Sequence, residues 1–152
     1  MVYIIIIVGV FIGDLLIKHH IDKTRNLNWE SKVLGEKIII QKYYNEGAML
    51  NIGDRKPYLV TASSAVFVIG LIIYFFRVLG EKGNSLLKLG LSFILGGALN
   101  NLFDRFTRKH VVDYFSFNVK AEKIRNIVFN ISDMFIFMGT VLTVFSELFK
   151  KK

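Results

Sequence analysis

Four long apolar runs divide this chain, at roughly residues 2–18, 58–78, 86–104 and 127–149. A bilayer core needs about 20 apolar residues per helical crossing, because a backbone in hydrocarbon must pair its own N–H and C=O groups. Of the 152 residues 53% are hydrophobic, mean hydropathy is +0.45, and the apolar residues come in blocks. A soluble chain of this size would interleave them with charge. The expectation is an all-α multi-pass membrane protein with four transmembrane helices. A small β-containing extramembrane segment, residues 19–57, lies between helices 1 and 2, and residues 1–152 form a single membrane-embedded domain. The first run has no basic leader and no small-residue cleavage site, and it ends in Asp14 and Lys18, so it reads as a retained span.

The net charge is +8. Its bases cluster at the ends of apolar runs (Arg77, Lys88, Arg105, Lys150–Lys152), which is how spans anchor against anionic lipid headgroups. Membrane lipid is therefore the expected partner of this charge, and nucleic acid is not. The absence of cysteine rules out disulfides and thiolate metal sites. Four spans put both termini on one side. Lys150–Lys152 and the short turn with Arg77, Lys82 and Lys88 favour the cytoplasm for that side.

Residues 19–57 are long for a loop without structure. Trp29, Ile38–Ile40, Tyr43 and Tyr44 are β-formers, bounded by Gly35 and by Asn45-Glu46-Gly47. Met49, Leu50 and Ile52 are expected to return as a partner strand after that turn. His19 and His20 are adjacent and diverge on a helix, so they read as interfacial polar residues, and Pro57 suits a first helical turn.

Against this apolar background stand Asp104, Asp113, Asp133, Asn100, Asn101, Asn130 and Arg105. Acids and amides beside hydrocarbon are costly and usually functional. Asn101, Asp104 and Arg105 share one helical face, as do Asn130 and Asp133. Asp14 and Lys18, four apart, form either a surface ion pair or part of a site. Gly96, Gly97 and Ala98 allow close helix approach. If Asp113 and Asp133 meet, they share a proton and suit general acid–base hydrolysis of a peptide. Two other readings stay open from spacing alone: structural ion pairs such as Asp104–Arg105, and a proton or ion transporter lined by acids. A Mg²⁺-dependent headgroup enzyme would cluster its acids at close helical spacing, and here they lie nine and twenty residues apart.

Five segments in order carry a family resemblance: Asp14 to Lys18, Asn45-Glu46-Gly47-Ala48, GGALNNLFDR at 96–105, VVDYF at 111–115 and FNISD at 129–133. Together they resemble the motifs of lipoprotein signal peptidase (signal peptidase II). The resemblance implies a membrane aspartyl endopeptidase of the bacterial cytoplasmic membrane. Such enzymes remove signal peptides from diacylglyceryl-modified prolipoproteins by cutting before the lipid-modified cysteine. It implies catalytic Asp113 and Asp133, with Asn45, Gly47, Asn101, Asp104, Arg105, Asn130, Asp14 and Lys18 supporting the site or contacting substrate. It also implies cytoplasmic termini and a site near the outer face. The chain is expected to be a monomer, and the two-aspartate chemistry needs neither metal nor cofactor. The sequence departs from the usual pattern at Asn100 (glycine), Tyr114 (Phe), Ser132 (Ala) and Met49-Leu50 (a small residue and an aromatic).

Overall fold

The computed structural model describes residues 1–27, 29–47 and 56–149. Four helices are long and apolar enough to cross a membrane: α1 (Val2–Thr24), α2 (Pro57–Leu79), α3 (Ser85–Arg108) and α5 (Ile131–Leu148). Strands β1 (Glu30–Val33) and β2 (Ile38–Asn45) lie between α1 and α2. Strand β3 (Val111–Phe117) and the single turn α4 (Glu122–Arg125) lie between α3 and α5.

Helix α3 is the hub, packed against α1, α2 and α5. Its mean hydropathy, 1.4, is the lowest of the four, yet it is the most buried. With three helices packed against it, the central helix buries most of its surface in protein and carries there the small and polar residues that lipid would not tolerate, while Phe103 and Phe106 stay exposed. Gly96 and Gly97 are the contact points. A Cβ on Gly96 would lie 2.8 Å from Cβ of Val10 on α1, and one on Gly97 would lie 2.5 Å from the Ser132 carbonyl oxygen on α5. Helices α1, α2 and α5 turn Ile5, Leu16, Phe67, Ile73, Phe137 and Phe145 outward, where lipid would cover them.

Phe75, Val78, Leu87, Leu91 and Leu95 form an apolar cluster, packed by Tyr3 and Ile7 of α1, at the end of the bundle that holds the start of α1 and the end of α5. The sheet covers the opposite end. It is antiparallel in the order β1-β2-β3. The β1–β2 hairpin turns at Leu34–Lys37, where Gly35 adopts φ +64°. The sheet expected between the first two spans is therefore present, but its third strand comes from residues 111–117. Tyr43 pairs with Asp113 and Asn45 with Val111 across the β2–β3 register. Met49, Leu50 and Ile52, expected as a returning strand, lie outside the described residues, as do Ala48 and Lys150–Lys152.

Helix bounds differ from the apolar runs for local reasons. Helix α1 continues six residues past Lys18 through polar residues to Thr24. Helix α3 runs on through Asp104 and Arg105 to Arg108, because those side chains find partners in protein rather than lipid. Helix α5 starts at Ile131 because Asn130, in extended conformation (φ −123°, ψ 172°), caps it.

Candidate active site

Asn130 is the N-cap of α5, and Asp133 is the third residue of its first turn. The Asn130 Oδ1 accepts from the Asp133 backbone N–H (2.9 Å), and the Asp133 Oδ2 accepts from the Asn130 N–H (3.1 Å). This reciprocal capping box satisfies two donors that the helix cannot, and the helix N-terminus favours the carboxylate's charge. The interactions that start the helix thus place the acid.

The remaining Asn130 amide, Nδ2, donates to Asp113 Oδ1 at 2.6 Å. Asp113 stands on β3 and is 1% exposed. Its second oxygen accepts from Asn45 Nδ2 of β2 (3.0 Å), while Asp133 Oδ1 accepts from Asn101 Nδ2 of α3 (2.8 Å). Every carboxylate oxygen of the two acids therefore meets an N–H donor. Burial, and then the charge of Asp133, push the Asp113 carboxyl up to about 7. One fixed site thus joins the two acids.

Beneath the pair lies a second polar cluster. Lys18 is fully buried, with its Nζ 2.6 Å from Asn100 Oδ1, 2.7 Å from Asn101 Oδ1, 3.0 Å from Asp104 Oδ2 and 3.3 Å from Asp14 Oδ2. Asp104 also pairs with Arg108 (3.1 Å) and accepts from the Val112 N–H (3.4 Å), tying the end of α3 to β3. Asp14 accepts from the Tyr114 hydroxyl (2.6 Å) and the Ser132 N–H (3.1 Å). Two readings left open by the sequence are decided here: Asp14 and Lys18 are fully buried among polar partners rather than paired on the surface, and Asp104 pairs with Lys18 and Arg108 rather than with Arg105. The Arg105 guanidinium turns away, donating from Nη2 to the Gly47 carbonyl at 2.7 Å.

With this geometry in view, the comparisons with known proteins are specific. Residues 6–149 match the family model described as signal peptidase (SPase) II. The chain belongs to the signal peptidase II family. It is 32% identical over 119 residues to the lipoprotein signal peptidase of Clostridium tetani, which covers 73% of this chain and 74% of that one. It also resembles two bacterial membrane enzymes determined by the in meso method. The first has a TM-score of 0.82 at 25% identity, over 97% of this chain and 87% of that one. The second, at 24% identity and TM-score 0.80 over 99% and 94%, shares the fold.

In this signal peptidase II family member, a groove of about 380 Å³ opens beside Asn101, the partner of Asp133, and neither acid lines it. Ser63, Ser64 and Phe67 of α2, Ala98 and Leu102 of α3, and Ile136 of α5 line it, and Asn101 and Arg105 mark its polar side. A larger groove, about 560 Å³, runs along the sheet past Gln41, Ser116 and Arg125 and includes none of the expected site residues. His19 and His20 are exposed on α1.

The structure brings Asn45, Asn101, Asn130, Asp113 and Asp133 into direct contact, with Asp14, Lys18 and Asp104 one layer below. Two further residues of this network were not among the expected site residues: Asn100, noted as a polar group in an apolar run and as a departure from the family pattern, contacts Lys18, and Tyr114, noted only as a departure, contacts Asp14. Asn100 sits about 100° around α3 from Asn101, so it turns toward α1. The signal available in sequence was two adjacent amides in an apolar helix, which implies polar partners on two faces.

Proposed function

We propose that this protein is a membrane aspartyl endopeptidase that removes the signal peptide from diacylglyceryl-modified prolipoproteins, cutting the bond before the lipid-modified cysteine. Asp113 and Asp133 are its catalytic pair. The observation that carries this reading is that one amide, Asn130, binds both acids, and each acid is held by a second asparagine from another element.

The roles follow from the surroundings. Asp133 caps a helix N-terminus, which favours its carboxylate. Burial and the Asp133 charge raise the Asp113 carboxyl to about 7, which lets the pair keep one proton near neutral pH, and Asp113 takes the part of the acid. Water attacks the scissile carbonyl as Asp133 takes its proton, while Asp113 gives a proton to the carbonyl oxygen. When the tetrahedral gem-diol collapses, the C–N bond breaks, the departing cysteine nitrogen takes a proton from Asp133, and one hydroxyl returns its proton to Asp113 as the carboxylic acid forms. The dyad then ends with a single proton on Asp113, as it began. The groove between α2, α3 and α5 suits the apolar signal segment. Arg105 and Asn101 at its polar side suit the peptide groups that lose their helical partners near the cut.

The termini face the cytoplasm in this reading, the sheet and dyad face outward, and the enzyme acts as a monomer within lipid. The transporter reading fares worse. Asp14, Asp104, Asp113 and Asp133 group at the sheet end, whereas the opposite end is the apolar cluster of Phe75, Leu87 and Leu91. A relay needs acids through the whole depth. The deciding experiment incubates the purified protein with a lipid-modified prolipoprotein, with and without chelator. Release of the signal peptide in both samples supports the proposal, and no cleavage of the modified substrate overturns it.

A further inference from the structure

We infer that Tyr114 and Asn100 are positioning residues for Asp133, acting through two buried hydrogen-bonded arms that meet at the Asp14–Lys18 pair. This rests on the reading of Asp133 as a catalytic acid.

The first arm holds the backbone of the turn that carries Asp133. The opening turn of a helix leaves its N–H groups without helical acceptors. In α5 the first three are satisfied by three different groups. Ile131 N–H donates to the Tyr114 hydroxyl (3.0 Å), Ser132 N–H to Asp14 Oδ2 (3.1 Å) and Asp133 N–H to Asn130 Oδ1 (2.9 Å). The Tyr114 hydroxyl in turn donates to Asp14 Oδ1 at 2.6 Å. One hydroxyl thus both accepts from the turn and steadies the carboxylate that holds the next N–H. A phenyl ring at 114 would fill nearly the same space and leave both groups short of a partner.

The second arm holds the Asp133 side chain. Asn100 Nδ2 donates to the Phe11 carbonyl (2.7 Å), which fixes the amide so that its Oδ1 faces Lys18 at 2.6 Å. The ammonium, with three N–H donors, then presents one to Asn101 Oδ1 at 2.7 Å. That contact selects the Asn101 orientation, because the flipped amide would aim its NH₂ at a cation. The selected orientation aims Asn101 Nδ2 at Asp133 Oδ1, 2.8 Å away. The arms arrive at the same acid from its backbone and from its oxygen, and Asp14 and Lys18 join them at 3.3 Å.

The test compares Tyr114→Phe, Asn100→Ala and the double variant in purified full-length protein, using a lipid-modified prolipoprotein as substrate. Misplacing a reacting group by about an ångström costs up to about a hundredfold in rate. Each single variant is therefore expected to lose roughly tenfold in kcat with KM changed less than about twofold. The double variant should lose less than the product of the singles, since both act on one cluster. Thermal unfolding and monodispersity are measured alongside. If Tyr114→Phe fails to fold, Asn100→Ala decides by the same criterion. A kcat within about twofold of the parent in a folded variant overturns the inference, as does a change confined to KM or to unfolding temperature. Asp133→Asn separates the two levels: if it is inactive while Tyr114→Phe keeps full kcat, only the positioning roles fail, whereas an active Asp133→Asn removes the dyad reading itself.

Discussion

Asp113 and Asp133 are bridged by the side chain of Asn130, whose Nδ2 binds the first carboxylate at 2.6 Å and whose Oδ1 holds the backbone N–H of the second at 2.9 Å. The two acids are twenty residues apart and stand on a strand and a helix. Their spacing therefore depends on one short, doubly anchored residue rather than on the meeting of two flexible side chains. Such pre-organisation is what proton transfer in both directions demands.

Replacing either acid should abolish turnover. Asp113→Asn and Asp133→Asn each keep side-chain volume while removing the exchangeable proton, so each is expected to lose cleavage by about three orders of magnitude or more. The double variant should be little worse than either single, because the acids act as a unit. Chelator should leave the parent's rate unchanged. Residual activity within about tenfold of the parent in either single variant, or EDTA inhibition reversed by a divalent ion, would contradict the mechanism.

The pH dependence follows from Asp113. With its carboxyl pushed up to about 7 by burial and by Asp133, the acid member of the pair loses its proton as pH rises through that value. Cleavage should decline on the alkaline side of about pH 7. Stability moves the same way. The unfolded chain ionises this group near 3.8 and the folded chain only near about 7, so between these values the folded state binds the extra proton and stability falls as pH rises. Asp113→Asn has no charge to bury. Asn45, whose Oδ1 has no partner, can flip to accept from the new amide. The variant should unfold at a higher temperature than the parent at about pH 8, with the difference shrinking as pH falls toward about 4. A melting series over that range in detergent checks this, and equal unfolding temperatures at all pH values would refute it.

Much of this design was legible in the sequence because hydrocarbon is an unforgiving solvent. Runs of apolar residues announced the spans, and Asp113, Asp133, Asn101 and Asn130 stood out against them. What was hidden was which polar group meets which. Asp104 and Arg105 are neighbours in sequence, yet one turns to Lys18 and the other to Gly47, a choice made by what α1 and β2 bring alongside. The third strand was equally hidden. VVDYFSF reads as one more apolar stretch, and only the β2 edge beside it makes residues 111–117 a strand. Tyr114 looked like a minor variant of Phe because its importance lies in one oxygen, whose partner is a hundred residues away.

Among the described residues, Lys18 is the sole cation touching both Asp14 and Asp104. Removing one member of a buried ion cluster leaves uncompensated charge, which typically costs about 3–5 kcal/mol. Lys18→Met is expected to destabilise the fold by that order. Adding Asp14→Asn should recover part of the loss, since one stranded carboxylate is then neutral. Denaturant titration of the parent, Lys18→Met, Asp14→Asn and the double variant gives the coupling. A Lys18→Met variant as stable as its parent would show that the cluster does not need its cation.

Gly97 sets the seat of α5, and with it the position of Asp133. A Cβ there would come 2.5 Å from the Ser132 carbonyl oxygen and 2.9 Å from Ile136 Cγ1, and backbone on one side leaves no flexible atom to give way. Gly70 on α2 is the natural control, since nothing lies within 4 Å of its would-be Cβ. Gly97→Ala must push α5 off α3 just where Asn101 reaches Asp133. Overpacking of this kind costs about 1–3 kcal/mol, and the displaced acid should lower kcat as well as the unfolding temperature. Gly70→Ala should keep activity within about twofold and unfold no earlier than the parent, because alanine is the better helix former by roughly 0.5–1 kcal/mol. The same methyl group thus has opposite effects at two glycines in apolar helices. Equal behaviour of the two variants would mean that the α3–α5 contact does not fix the acid's place.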